Sequence, residues 1–204
     1  MIVLVVGCLI PVAYLLGTFP SAALVARARG HDILHEGSGN PGASNTFRVL
    51  GWKAGVVVLI LDIGKGAAAA GVGLAIDGHR GAFVLGVAAV LGHVFPIQRK
   101  LHGGRGVATA AGVLVVVFPI ETAVVGAVWF AIARGLRKAS VASIVCAIAF
   151  PAIVALRDGS ALDLAVTGGL AALVIARHLS NLRRLVRGEE PGLGEEDDGG
   201  SVAA

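Results

Sequence analysis

Charge is what this chain has least of. Only 15% of its 204 residues are Asp, Glu, Lys or Arg, against about 25% in soluble domains. That excludes an ordinary water-soluble globule. The 56% hydrophobic content and a mean hydropathy of +0.84 point instead to an integral membrane protein. Cysteine is scarce too. Cys8 and Cys146 fall inside apolar runs, which excludes a disulfide framework and reads as small core residues. No His, Cys and carboxylate cluster has metal-ligand spacing, so no metal and no cofactor is expected. The P-loop pattern GxxxxGK[ST], the GxSxG nucleophile elbow and a histidine with aspartate five residues on are all missing. Nothing points to nucleic acid. An enzyme built from this chain has to work by binding, charge and orientation.

What is present is apolar runs. Spans are expected at Ile2–Ala26, Ala54–Ile76, Gly81–Ile97, Val107–Phe118, Ile120–Ala133, Val141–Leu156 and Leu162–Ala176. The fourth and fifth are short, separated by Pro119, Glu121 and Thr122, which suit a turn better than a membrane midplane. No basic stretch precedes Ile2, so the first run is expected to be retained as a span. The expected fold is therefore all-α, with seven transmembrane helices, some of them short.

Charge placement orients them. With the N-terminus outside, 14 of the 17 basic residues fall on the cytoplasmic side, among them Arg27, Arg48, Arg99, Arg105, Arg137, Lys138, Arg183, Arg184 and Arg187. The outer loops keep only Arg80 and Arg157. This satisfies the positive-inside rule. Residues 1–188 form the membrane domain, carrying 17 basic against 7 acidic residues. Residues 189–204, acidic and Gly-rich, are expected to be a disordered cytoplasmic tail.

Polar motifs interrupt this apolar background. Gly37–Arg48 (GSGNPGASNTFR) combines Gly37 and Gly39 with the donors Ser38, Asn40, Ser44 and Asn45 and the cation Arg48. Small flexible residues and a guanidinium suit a phosphate. Gly103, Gly104, Arg105 and Gly106 set three glycines around a cation just before an apolar helix, a second anion cradle. Ser140 is a candidate N-cap of the sixth span, and Ser143 lies one turn in. His178 and Asn181 share a helix face at i, i+3, while Arg183, Arg184 and Arg187 suit anionic lipid heads. Asp62 and Lys65, i, i+3 inside the second span, form a candidate intramembrane ion pair.

These motifs together resemble the acyl-phosphate-dependent glycerol-3-phosphate acyltransferase family of bacterial membranes. The likeness rests on GSGNPGASNTFRVLG, LDIGKG, GHVFP with HGGRGVAT, SVASI, and RHLSN with LRRL, in that order. It implies a multi-pass enzyme of the bacterial cytoplasmic membrane with its site facing the cytoplasm. It implies transfer of an acyl chain from acyl phosphate to the 1-hydroxyl of glycerol 3-phosphate, giving lysophosphatidate and phosphate. The implied catalytic set is Ser38, Arg48, Arg105, His178 and Asn181. Gly37, Gly39, Asn40, Asn45, Gly103, Gly104, Gly106 and Ser143 complete the implied phosphate-binding set. Arg105 stands where the family usually has lysine, which keeps the charge but offers a planar fork. Arg48 and Arg105 are expected to form two cationic cradles of one site, one for each phosphorylated substrate. The competing readings are a transporter of a phosphorylated solute, which needs polar residues continuing through the membrane, and a non-catalytic scaffold.

Overall fold

The structure is a computed structural model that describes residues 1–193. Among these residues every regular element is helical. In chain order the helices are α1 (Ile2–Gly17), α2 (Ser21–Arg27), α3 (Ala43–Val94), α4 (Val107–Val117), α5 (Pro119–Leu136), α6 (Ala139–Leu156), α7 (Ala161–Arg177) and α8 (Leu179–Val186). Four stretches are long and apolar enough to cross a membrane: Ile2–Arg27, Ala43–Arg99, Pro119–Leu136 and Ala139–Leu156. A fifth is added if α7 and α8, bent by 53° to one another, are taken as one broken span.

The breaks follow from local chemistry. The expected first span is interrupted between Gly17 and Ser21, because Pro20 has no N–H to continue the ladder. Partners reach the break from elsewhere: Lys65 Nζ donates to the Phe19 backbone carbonyl at 3.2 Å, and Gln98 donates to the Thr18 side-chain Oγ1 at 2.9 Å. α3 contains the second and third expected spans. It is divided at Asp77–Gly78, where Gly78 has φ 57 and ψ −145, a conformation that suits glycine. Gly73 and Gly81 then meet backbone to backbone, so residues 52–76 and 79–94 run as the two arms of a hairpin. Pro119 opens α5 directly after α4, making the expected turn. Ser160 caps α7 in a capping box with Asp163.

Small residues set the packing distance. A Cβ on Gly66 would lie 2.1 Å from the Thr109 carbonyl oxygen, and one on Gly112 would lie 2.0 Å from that of Ile63. α3 and α4 therefore cross with their backbones in contact, as small residues allow in membranes. Val90, Val94, Val113, Leu114, Phe150 and Leu170 fill the core between α3, α4, α6 and α7. Leu4, Ile60, Phe130, Ile148 and Leu156 stay exposed on the outside. So broad an apolar surface suits lipid, not water.

Contacts gather at two opposite ends. At one, His79 stacks on Phe83 and lies 3.8 Å from Asp163, while Arg157 pairs with Glu121. At the other, Tyr14 Oη donates to the Phe95 carbonyl at 2.6 Å and Arg177 donates to the Gly103 carbonyl at 3.1 Å. The polar motifs lie at this second end.

Candidate functional site

The first motif is only partly a loop. α3 starts at Ala43, so Ser44, Asn45 and Arg48 sit on its first turns. Asn45 ties the preceding loop to the helix. Its Oδ1 accepts the Ser38 N–H at 2.8 Å and Arg48 Nη1 at 3.1 Å, while its Nδ2 donates to the carbonyls of Glu36 at 3.0 Å and Ile33 at 3.3 Å. Gly37 has φ 57, and a Cβ there would lie 2.5 Å from Asn45 Oδ1. Glycine is thus required for the loop to close over Asn45.

The second motif works differently from an open nest of N–H groups. Gly103 N–H donates to the Val94 carbonyl and Gly104 N–H to that of His93, each at 3.1 Å. These two amides are committed to the backbone. Gly106, with φ 86, is the N-cap of α4. The glycines shape the loop that carries Arg105 into the site.

One polar pocket collects the expected cations. It is lined by Ser38, Ser44, Asn45, Arg48, Arg105, Ala139, Ser140, Asn181, Arg184, Glu190 and Pro191. Arg48 and Arg105 share it, so the two expected cradles lie in one pocket. The physical reason is the packing of α3 against α4, which brings both loop ends to one place. Gly37, Gly39, Asn40, Gly103, Gly104, Gly106, Ser143 and His178 are not part of this lining. Ser143 Oγ donates to the Ala139 carbonyl at 2.8 Å and accepts from Trp129 Nε1 at 3.0 Å, so it faces α5. His178 is buried in the bend between α7 and α8, with Nδ1 2.8 Å from the Val174 carbonyl.

Three lining residues, Ser140, Arg184 and Glu190, carry roles that the sequence did not convey, while Ser44 was already among the donors of the first motif. Ser140 is not the N-cap; Lys138 is. Arg184, expected at lipid heads, turns inward. It lies three residues from Asn181, and that helical spacing was the available signal. Glu190 is the largest departure. The tail was expected to be solvated from residue 189, yet Glu190 is 7% exposed. Asn181 Nδ2 donates to its Oε1 at 2.6 Å, Arg184 Nε donates to its Oε2 at 2.9 Å, and Lys138 Nζ donates to its carbonyl. Residues 194–204 lie outside the described residues.

The electrostatics are unbalanced. Burial draws the Arg105 guanidinium down to about 10; Glu190 opposes that, and Arg184, Arg48 and Arg177 add to it. Arg105 therefore stays charged at neutral pH. Burial pushes the Glu190 carboxyl up, but the Asn181 amide, the Ser140 hydroxyl and Arg184 outweigh it, holding the group below the usual glutamate value. Ser140 Oγ faces this carboxylate without closing a hydrogen bond of normal geometry. Asn181 Oδ1, Arg184 Nη2 and Arg177 Nε are also buried without a hydrogen-bond partner. Each such atom costs about 1–3 kcal/mol unless a ligand satisfies it. Excess positive charge and unfilled hydrogen-bonding capacity together suit an anion carrying hydroxyls.

A more open groove of mixed polar and apolar lining adjoins the pocket. Its volume is about 460 Å³, lined by His31, Phe47, Arg48, Val49, Leu50, Gly51 and Trp52. Arg48 belongs to both walls. Among the described residues no group of three or more His, Cys, Asp or Glu could hold a metal ion.

Known proteins share this architecture. The family model described as glycerol-3-phosphate acyltransferase matches residues 7–188. A glycerol-3-phosphate acyltransferase of Salinibacter ruber is 42% identical, the match covering 88% of each chain. One of Bacillus cytotoxicus is 43% identical over 90% of this chain and 92% of its own. Among solved structures, the integral membrane glycerol 3-phosphate acyltransferase PlsY in its glycerol 3-phosphate form superposes with a TM-score of 0.88. It is 36% identical and covers 93% of this chain and 96% of its own. The lysophosphatidic acid form of PlsY gives a TM-score of 0.85 at 35% identity, covering 92% and 94%. Matching in sequence along nearly its whole length and in three-dimensional structure, the chain belongs to the glycerol-3-phosphate acyltransferase family of integral membrane proteins.

Proposed function

We propose that this protein transfers an acyl chain from acyl phosphate to the 1-hydroxyl of glycerol 3-phosphate, releasing lysophosphatidate and inorganic phosphate. The observation that carries the reading is the double membership of Arg48. It lines a cationic pocket on one side and, on the other, an open groove whose wall includes Phe47, Val49, Leu50 and Trp52. A donor with a phosphate head and an acyl tail fits that junction. The acyl chain lies in the groove, with its phosphate against Arg48. Glycerol 3-phosphate enters the polar pocket, where Arg105 and Arg184 meet its phosphate and Ser140 and Asn181 meet its hydroxyls.

The chemistry follows from this placement. The 1-hydroxyl oxygen attacks the acyl carbonyl carbon, and the carbon–oxygen bond to phosphate breaks. The hydroxyl proton passes to a phosphate oxygen of the donor, so no side-chain nucleophile is required. Positioning of this kind supplies up to about 7–11 kcal/mol. Cations beside the departing phosphate add transition-state stabilisation. The enclosed space in the pocket is now about 10 Å³, room for roughly one water. Phosphate binding therefore moves the Arg184 and Glu190 side chains apart.

Seven crossings complete the reading: α1, the two arms of α3, α4, α5, α6 and α7. The gathering of chain reversals at two opposite ends supports it. α4, with 11 residues, is only about 16 Å long and crosses by packing inside the bundle. The basic residues crowd the pocket end, which supports a cytoplasmic site in the bacterial plasma membrane with the N-terminus outside. Asp62 and Lys65, the polar residues deep in the bundle, are buried and paired, which speaks against a solute path.

The test gives purified protein labelled glycerol 3-phosphate with palmitoyl phosphate in one arm and palmitoyl-CoA in the other. Lysophosphatidate is expected from the first arm alone. Product from the CoA thioester, or none from the acyl phosphate, overturns the reading.

A further inference from the structure

Beneath the Arg105 loop lies a buried polar network that does not touch the pocket. Asp62 is 1% exposed. Its Oδ1 accepts from Ser21 Oγ at 2.5 Å and from Lys65 Nζ at 2.9 Å, and lies 3.6 Å from His93 Nδ1. Lys65 also reaches the Phe19 carbonyl. One carboxylate oxygen thus joins the break after α1 to both arms of α3. Ionisable groups kept inside a bundle at such cost mark function more often than packing.

His93 continues the network to the loop. Its carbonyl accepts the Gly104 N–H at 3.1 Å, and the next carbonyl, of Val94, accepts the Gly103 N–H. A Cβ on Gly104 would lie 2.1 Å from His93 Nε2, so the imidazole lies directly against the loop backbone. Arg105 is the next residue. The loop has few other anchors: Arg177 holds the Gly103 carbonyl, and Gly106 already caps α4.

We propose that Asp62 and His93 are positioning residues for Arg105: Asp62 stands beside the His93 imidazole, and that imidazole packs against the Gly104 backbone that aims the guanidinium. This rests on Arg105 as a phosphate-binding residue. Neither Asp62 nor His93 meets substrate. Their effect passes through loop geometry, and an ångström of misplacement is enough to weaken catalysis.

The test compares His93→Gln, the pair removal Asp62→Asn/Lys65→Met, and Arg105→Gln in the full chain. Removing both charges avoids an unpaired buried Lys65. KM and kcat are measured for each phosphorylated substrate, alongside the melting temperature. Arg105→Gln is expected to raise one KM by about tenfold or more. His93→Gln and the pair removal should raise the same KM. Combined with Arg105→Gln, His93→Gln should add less than about twofold, because both act through one group. If His93→Gln does not fold, Gly104→Ala takes its place, since it displaces the same backbone. A lowered melting temperature with both KM values unchanged overturns the proposal, as does a full additional effect in the Arg105→Gln background. Unchanged KM values in Arg105→Gln itself overturn the site reading, and the positioning role with it.

Discussion

Two buried clusters of charge in this molecule, one around Asp62 and one around Glu190, are built in different ways. Around Asp62 the charges come closer to balance: one carboxylate bonds Lys65 and Ser21, with His93 3.6 Å away and Arg99 within electrostatic reach, and Lys65 finds a carbonyl as well. Around Glu190 they do not. Arg48, Arg105 and Arg184 line the pocket with Arg177 nearby, and several polar atoms are left unmatched. A network whose carboxylate is fully engaged keeps its geometry unaided. An open one holds capacity in reserve for a ligand. The comparison supports the proposed placing of substrate at the less balanced cluster, beside Glu190, and not at the one around Asp62.

The contrast can be broken from either side. The largest stability effect is expected where balance is destroyed. Asp62→Asn leaves Lys65 buried and unpaired, which should cost about 3–5 kcal/mol. Thermal unfolding in detergent should show this loss, and the Asp62→Asn/Lys65→Met pair should recover most of it. In the open cluster the expected effect is on turnover. Arg48→Ala and Arg105→Ala should each lower kcat/KM by about a hundredfold or more, with little change in melting temperature. Steady-state kinetics with retained activity and unchanged KM would sink the pocket assignment.

Packing beneath both clusters should matter next. Gly66→Ala puts a methyl group against the Thr109 carbonyl and should cost about 1–3 kcal/mol, read by the same unfolding assay. The smallest effect is expected from pH. The Glu190 carboxyl is held below its ordinary value, so its contribution to stability is present above the ordinary glutamate range and is lost as pH falls through the lowered value. Melting curves from pH 7 to pH 3 should show this acid loss in the wild type and less of it in Glu190→Gln. An identical slope in both would remove Glu190 from the account.

Legibility in the sequence was uneven, for physical reasons. Apolar runs and Pro119 gave the helices and the turn between α4 and α5, because membrane burial and a missing N–H act locally. Arg48 and Arg105 could be singled out because glycine and small polar residues around them stand out against apolar spans, and Asn181 because it shares a helix face with His178. Ser143 misled, since nothing in SVASI tells which serine faces α5. Ser140, not Ser143, lines the pocket. Arg184 was hidden among other basic residues of α8, where only the direction of the helix separates a lipid contact from a ligand contact.

By itself the sequence determined that this is a helical membrane protein with its polar motifs at one end, and the order of those motifs carried the family. These are properties of composition and spacing, which need no third dimension. Tertiary structure decided that Arg48 and Arg105 share one pocket, that Glu190 folds back into it, and that Asp62 reaches the Arg105 loop through His93. Each joins residues far apart in the chain. Their meeting depends on where the α3 hairpin packs against α4 and how sharply the chain turns after α8.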